Sequence, residues 1–200
     1  VSKLLLAVAE NFVTASDSGA DADTVHRLGE LYYRIREGIG FNKTPLEYGA
    51  FPVDPYSHTP KHAGARQPGM TGQVKEEILT RFIELGARVH DGGITIDPSL
   101  LRRREFAEEA RTYCYLDVDK SWQSLDLPPS SLAFTWCQLP FVYILDDSAE
   151  PGVEIELDDG KAERFTSATL ADDLSAHVFE RTGRIRKVTV RLPTDTLFGD

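Results

Sequence analysis

Gln73-Val-Lys-Glu-Glu-Ile-Leu-Thr-Arg-Phe-Ile-Glu-Leu-Gly-Ala-Arg-Val-His-Asp-Gly-Gly-Ile-Thr-Ile96 is the stretch in which the chain changes period. Val74, Ile78, Phe82 and Leu85 recur at spacings of three and four, which predicts a helix with one buried apolar stripe, N-capped by Thr71 and stopped by Gly86. Beyond Gly86 the spacing falls to two. Ala87-Arg-Val89 and Ile94-Thr-Ile96 flank Asp91-Gly-Gly, which predicts a hairpin. The switch divides a helical part, residues 1–86, from a β-rich part, residues 87–200.

Upstream, Leu5, Val8 and Phe12 predict one amphipathic helix ending at Ser16-Asp-Ser-Gly19. Asp21 or Asp23 caps a second, whose stripe is Val25, Leu28, Leu31, Tyr32 and Ile35 and whose stops are Gly38 and Gly40. Two such helices cannot bury their apolar faces completely on each other, and the first starts uncapped at Val1. Further helical material is therefore expected ahead of residue 1, with this chain the C-terminal part of a larger protein. Downstream, 113–118, 132–137, 140–145, 153–157, 162–166 and 185–192 read as strands and Leu170–Arg181 as a short helix, so an antiparallel sheet or sandwich is expected. The fold class is α+β.

The 200 residues, 41% hydrophobic and 27% charged, suffice for one domain or two small ones. A net charge of −10 argues against a nucleic-acid partner, which needs clustered cations to displace counterions. The two basic runs, Arg102-Arg-Arg104 and Arg184-Ile-Arg-Lys187, are short, have acidic neighbours and read as solvated surface. No apolar run reaches the roughly 20 residues of a membrane-spanning helix, and no cleavage site follows the apolar start, so neither membrane nor signal peptide is expected. Cys114 and Cys137 sit among apolar and aromatic residues and read as two buried thiols.

Residues 41–71 lack apolar periodicity and hold five of the eleven prolines, yet Phe41, Tyr48, Phe51 and Tyr56 are anchors for an ordered loop. Loops on a stiff scaffold gather binding residues. Tyr48 and Tyr56 suit stacking on the apolar face of a sugar ring; His58, His62, Arg66, Gln67, Gln73 and Lys75 offer the hydrogen bonds that hydroxyl-rich ligands demand. Glycoside chemistry needs two carboxylates, which Asp54 with Glu76 or Glu77 would supply, although acids in a helix's first turn are also commonplace through its dipole. His58 and His62 have metal-like spacing, but Pro60 between them argues against the helix such a pair requires, so no metal is assigned. No cofactor-binding glycine loop or nucleophile elbow occurs.

Helical hairpins, then an aromatic, Pro-rich loop entering a helix, then a β-domain introduced by Ile94-Thr-Ile-Asp-Pro-Ser-Leu-Leu101, resemble the C-terminal end of (α/α)6-barrel carbohydrate-active enzymes. The string from Ala50 to Glu77 is similar to one in bacterial proteins of that six-hairpin glycosidase-like type, with Gln73-Val-Lys-Glu-Glu77 where better-known members carry other motifs. The resemblance implies that the first helices belong to an incomplete (α/α) toroid and that residues 41–77 line part of a sugar cleft in a glycoside hydrolase or phosphorylase-like parent. The fragment alone is then expected to be inactive. Its partners are a carbohydrate ligand and the N-terminal helical portion of the parent chain. A non-catalytic carbohydrate-binding or interaction module, and a purely structural clamp, are the other readings of the same loop. The compartment stays open.

Overall fold

The apolar spacing upstream of Gly38 gives two helices, α1 (Ser2–Asp17) and α2 (Ala22–Gly38), in the computed structural model of the chain, which describes residues 2–38 and 73–199 apart from the side chains of residues 73 and 74. Their junction is built by local chemistry. Gly19, at φ 69°, takes the left-handed conformation that closes α1, its N–H donating to the Ser16 carbonyl. Asp21 then caps α2, accepting from the Thr24 N–H at 2.9 Å and the Thr24 hydroxyl at 2.8 Å, and these bonds hold its carboxyl below the usual range. Leu5, Ala9 and Phe12 of α1 are buried, as are Tyr32 and Tyr33 of α2. Leu31, expected in the α2 stripe, is instead exposed, and Tyr33 takes an inward place that the spacing did not assign.

A third helix, α3, runs Gln73–Leu85. The chain forms two compact units, residues 1–84 and 85–200. In the second, Gly86 sits at φ 68° with a hypothetical Cβ only 2.0 Å from the Asp97 carbonyl carbon, so only glycine fits where the chain leaves α3. Strands β1 (Ala87–His90) and β2 (Gly93–Ile96) then form the expected hairpin, with Asp91 and Gly92 both at positive φ, as a type I′ turn requires.

A second ribbon pairs β3 (Arg111–Leu116) with β4 (Trp122–Leu127). β4 was not expected: Trp122-Gln-Ser-Leu-Asp-Leu127 shows no clean apolar alternation, and Trp122, Gln123 and Ser124 lie exposed. The main sheet has the order β5–β6–β9–β7–β8, from β5 (Ser131–Trp136), β6 (Leu139–Leu145), β7 (Gly152–Leu157), β8 (Ala162–Phe165) and β9 (Ile185–Leu192). Its pairing is antiparallel except between β6 and β9, which run parallel. The short helix α4 (Asp172–Phe179) makes the connection that brings β9 between β6 and β7.

The core of this unit is apolar in the ordinary way. Phe141, Tyr143, Ile155, Val153 and Val188 are buried, Phe134 stacks on Phe141 at 5.5 Å, and Tyr143 donates to the Leu85 carbonyl at 2.7 Å. Ser175 of α4 accepts from the Ile94 N–H at 3.0 Å, satisfying a buried donor that no strand partner reaches. Both cysteines are free, but neither is buried: Cys114 lies on the exposed face of β3 and Cys137 in the β5–β6 turn. Apart from α4, the helices precede the strands along the chain, which makes the fold α+β.

Candidate functional site

Helix α3 buries a row of polar residues that its apolar spacing does not mark. Ile78 is 50% exposed and Leu79 is exposed too, whereas Glu76 is 4%, Thr80 2% and Glu84 0% exposed. These three polar residues follow one another at intervals of four, the spacing that aligns side chains on one helix face. The expected stripe of Val74, Ile78, Phe82 and Leu85 is therefore corrected at Ile78, the stripe's centre.

Glu84 shows what holds that face inward. Its Oε1 accepts from the Tyr32 hydroxyl at 2.6 Å and from the Arg36 guanidinium, and its Oε2 accepts from Arg81 Nη1 at 2.7 Å. Arg36 also donates to the Tyr32 oxygen at 3.3 Å. Tyr32 and Arg36 are one turn apart on α2, and Arg81 precedes Glu84 by three residues on α3, so regular helix geometry delivers all four groups to one point. A carboxylate can be this deeply buried only with charge-assisted partners on both oxygens. Burial, then the Glu84 charge, push the Tyr32 phenol well above its ordinary value, which keeps it a donor at any physiological pH.

Glu76 stands on the same face, two turns towards the N-terminus, and differs in one respect. Its Oε2 is buried and has no hydrogen-bond partner among the described residues. An unsatisfied buried carboxylate oxygen is costly and uncommon, and when native structures retain one it marks a strain reservoir, a catalytic role or a binding position. By helix rise, Glu76 and Glu84 lie about 12 Å apart along the axis. Glycosidase carboxyl pairs are separated by roughly 5–10 Å. Glu84 is also fully occupied, so it is not the second carboxylate of such a pair.

Of the residues singled out in the sequence, Glu76 is thus inward with one oxygen unpartnered among the described residues, Glu77 is half-buried with its carbonyl accepting from the Thr80 hydroxyl at 3.1 Å, and Lys75 is exposed. Gln73 begins α3. Tyr48, Asp54, Tyr56, His58, His62, Arg66 and Gln67 lie outside the described residues. The Tyr32–Arg36–Arg81–Glu84 cluster was not anticipated; the signal for it was present in the four-residue spacing of Glu76, Thr80 and Glu84. Among the described residues no group of three or more His, Cys, Asp or Glu is arranged to hold a metal ion, and no helix is long and apolar enough to cross a membrane. No protein-family model and no curated protein matches the sequence.

Proposed function

We propose that this chain is part of a carbohydrate-active enzyme of the glycoside hydrolase or phosphorylase type, and that Glu76 is the carboxylate it contributes to the sugar cleft. One observation carries the reading: a buried carboxylate with an unclaimed oxygen on the inward face of the helix that the Pro- and aromatic-rich segment enters. Helix α3 contributes rigidity. Glu84, locked by two guanidiniums and a phenol, fixes the rotation of the helix about its axis, and Glu76 shares that rotation. A side chain so held suits proton transfer to or from a glycosidic oxygen or an attacking water, where placement matters as much as basicity. The second carboxylate comes from elsewhere; Asp54 is the candidate within this chain.

The test uses the parent protein with a panel of aryl glycosides, assayed with and without inorganic phosphate. Glu76→Gln should lower kcat between about 100-fold and 10,000-fold while leaving the melting temperature unchanged or raised. Glu77→Gln should have a far smaller effect. Full turnover by Glu76→Gln would end the enzymatic reading of this residue. Retained saccharide binding by a wild-type parent with no turnover on any glycoside would favour the non-catalytic module.

A further inference from the structure

A groove of about 190 Å³ opens at one end of the main sheet in the second unit, between the β3–β4 ribbon and the starts of β6 and β9. Tyr115, Gln123, Gln138, Glu156, Arg186 and Lys187 line it, over an apolar floor that includes Leu139 and Ile185.

The backbone around this groove is irregular to an unusual degree. Six non-glycine residues among those described adopt positive φ, and four of them, Lys120, Cys137, Gln138 and Arg181, fall in the three turns that rim it. The β5–β6 turn is the clearest case. Cys137 and Gln138 lie at φ 52° and 66°, the conformation that Asp91-Gly92 adopts in the β1–β2 hairpin with suitable residues. Here a cysteine and a glutamine occupy it against their preference. β7 adds a register shift between Glu156 and Leu157, also at the rim. Left-handed non-glycine residues and bulges persist where surrounding contacts enforce them, and both concentrate at binding sites.

What the strain achieves is a fixed set of amides. Asp117 Oδ1 accepts from the backbone N–H groups of Asp119 and Ser121, each at 2.9 Å, and its Oδ2 accepts from Gln123 Nε2 at 2.8 Å. These bonds, the Ser121 one foremost, hold its carboxyl below the usual range. The Asp117 carbonyl accepts from Gln138 Nε2 at 2.8 Å, and Arg181 donates to Gln138 Oε1 at 3.4 Å. Both glutamine side chains are thereby immobilised, with the Gln123 carbonyl oxygen left over as an acceptor. The charges nearly cancel: Lys187 pairs with Glu156 at 2.8 Å, and the Arg186 guanidinium, which makes no ion pair among the described residues, offsets Asp117.

We propose that this groove is a saccharide subsite that takes one neutral pyranose ring. Interleaved donors and acceptors match hydroxyl groups, which are both; a near-zero local charge gives no preference for an anion; the apolar floor suits the C–H face of a ring. The volume lies below the roughly 300 Å³ at which pockets for drug-sized ligands begin, so the site holds a single ring and not an extended chain. Choosing a sugar over other polyols rests on the carbohydrate reading of α3; the rigidity and neutrality of the groove do not.

The test is an NMR titration of the full 200-residue chain, following the side-chain amides of Gln123 and Gln138 and the backbone amide of Gly183. The probes are methyl glycosides of glucose, galactose, mannose and N-acetylglucosamine, with glucuronate and inorganic phosphate as the anionic arms. At least one neutral glycoside should give saturable shifts at all three positions, weakened tenfold or more by Arg186→Ala, whose side chain is exposed and whose loss leaves the fold intact. Gln138→Gly should raise the melting temperature by relieving the turn and yet weaken binding. Silence with every neutral glycoside, tighter binding of either anion, or unchanged binding by both variants overturns the proposal. Glu76→Gln should bind in the groove like wild type. A silent groove in a parent whose turnover Glu76→Gln abolishes would sink the subsite alone, and an active groove beside an inert Glu76 would sink the catalytic reading alone.

Discussion

The two units of this chain solve the same problem with opposite materials. In the second, a sheet covers its face with Phe141, Tyr143, Ile155 and Val188, and the buried Ser175 is bonded to the Ile94 N–H. In the first, α3 turns Glu76, Thr80 and Glu84 inward and leaves Ile78 and Leu79 exposed. An apolar core tolerates small errors of rotation because dispersion has no direction. A buried carboxylate does not, since each oxygen that misses a donor by a few tenths of an ångström is costly. The helical unit thus gains angular definition where the sheet unit gains cohesion, and angular definition is what a helix presenting a reactive group needs.

The sharpest way to break that contrast is to remove its pivot. Glu84→Ala takes from the Arg36 and Arg81 guanidiniums their bonds to Glu84 and leaves the Tyr32 hydroxyl without that acceptor, so a loss of about 3–5 kcal/mol is expected. The apolar counterpart, Phe141→Ala, should cost a similar amount, about 3–5 kcal/mol, through cavity formation. Repair separates them. Adding Arg36→Met and Arg81→Met with Glu84→Leu should restore most of the helical unit's stability, because a packed apolar set often equals a buried ion pair. Both tryptophans, Trp122 and Trp136, lie in the second unit, so their fluorescence follows its unfolding while far-UV circular dichroism also follows the helices. Coincident changes in both signals, with Glu84→Ala unfolding both units together, would show that the two cores are not independent.

A smaller effect tests how much one bonded polar group contributes inside the sheet unit. Ser175→Ala leaves the Ile94 N–H buried without an acceptor at the α4–β2 junction, and about 1–3 kcal/mol should be lost. Hydrogen exchange at Ile94 should accelerate more than at Val188, which keeps its sheet partners. Equal acceleration at the two would mean that the Ser175 bond does no more than report global stability.

Which parts of this were readable in advance follows from the range of the interactions concerned. The β1–β2 hairpin was legible because Asp91-Gly92 carries its own turn, and α1 and α2 because Gly19 and Asp21 stop and restart a helix within three residues. The orientation of α3 was not. Its sequence presents two rows, Val74–Ile78–Phe82–Leu85 and Glu76–Thr80–Glu84; Leu85 of the first is buried and Ile78 is not, while the second is held inward at Glu84 by Tyr32 and Arg36, some fifty residues earlier. Apolar spacing favours the first stripe; only tertiary partners favour the second. The same holds for the parallel β6–β9 pair, whose partners are distant in sequence, and for β4, whose exposed residues include Trp122 beside Gln123 and Ser124. Glu76 was named from sequence as one of two adjacent acids, and burial separates it from Glu77. The turn at Cys137-Gln138 has no turn residue to announce it.

The mildest probe of the contrast is pH. In the folded chain Tyr32 is fully buried, and its phenol is held far above the value of about 10 at which an unfolded tyrosine ionises. Above that pH the unfolded state has lost a proton that the folded state keeps. Stability contributed by Tyr32 is therefore complete below pH 10 and falls as pH rises, by at most about 1.4 kcal/mol per pH unit. Tyr32→Phe should cost about 1 kcal/mol at neutral pH through the lost bond to Glu84, and it should flatten the alkaline decline of the helical signal. Wild type and Tyr32→Phe declining in parallel would place the alkaline sensitivity elsewhere, and the phenol would then be a passive filler of the space beside Glu84. A flattened decline in the variant would instead make the hydroxyl part of what orients the carboxylate, and with it the inward face on which Glu76 stands.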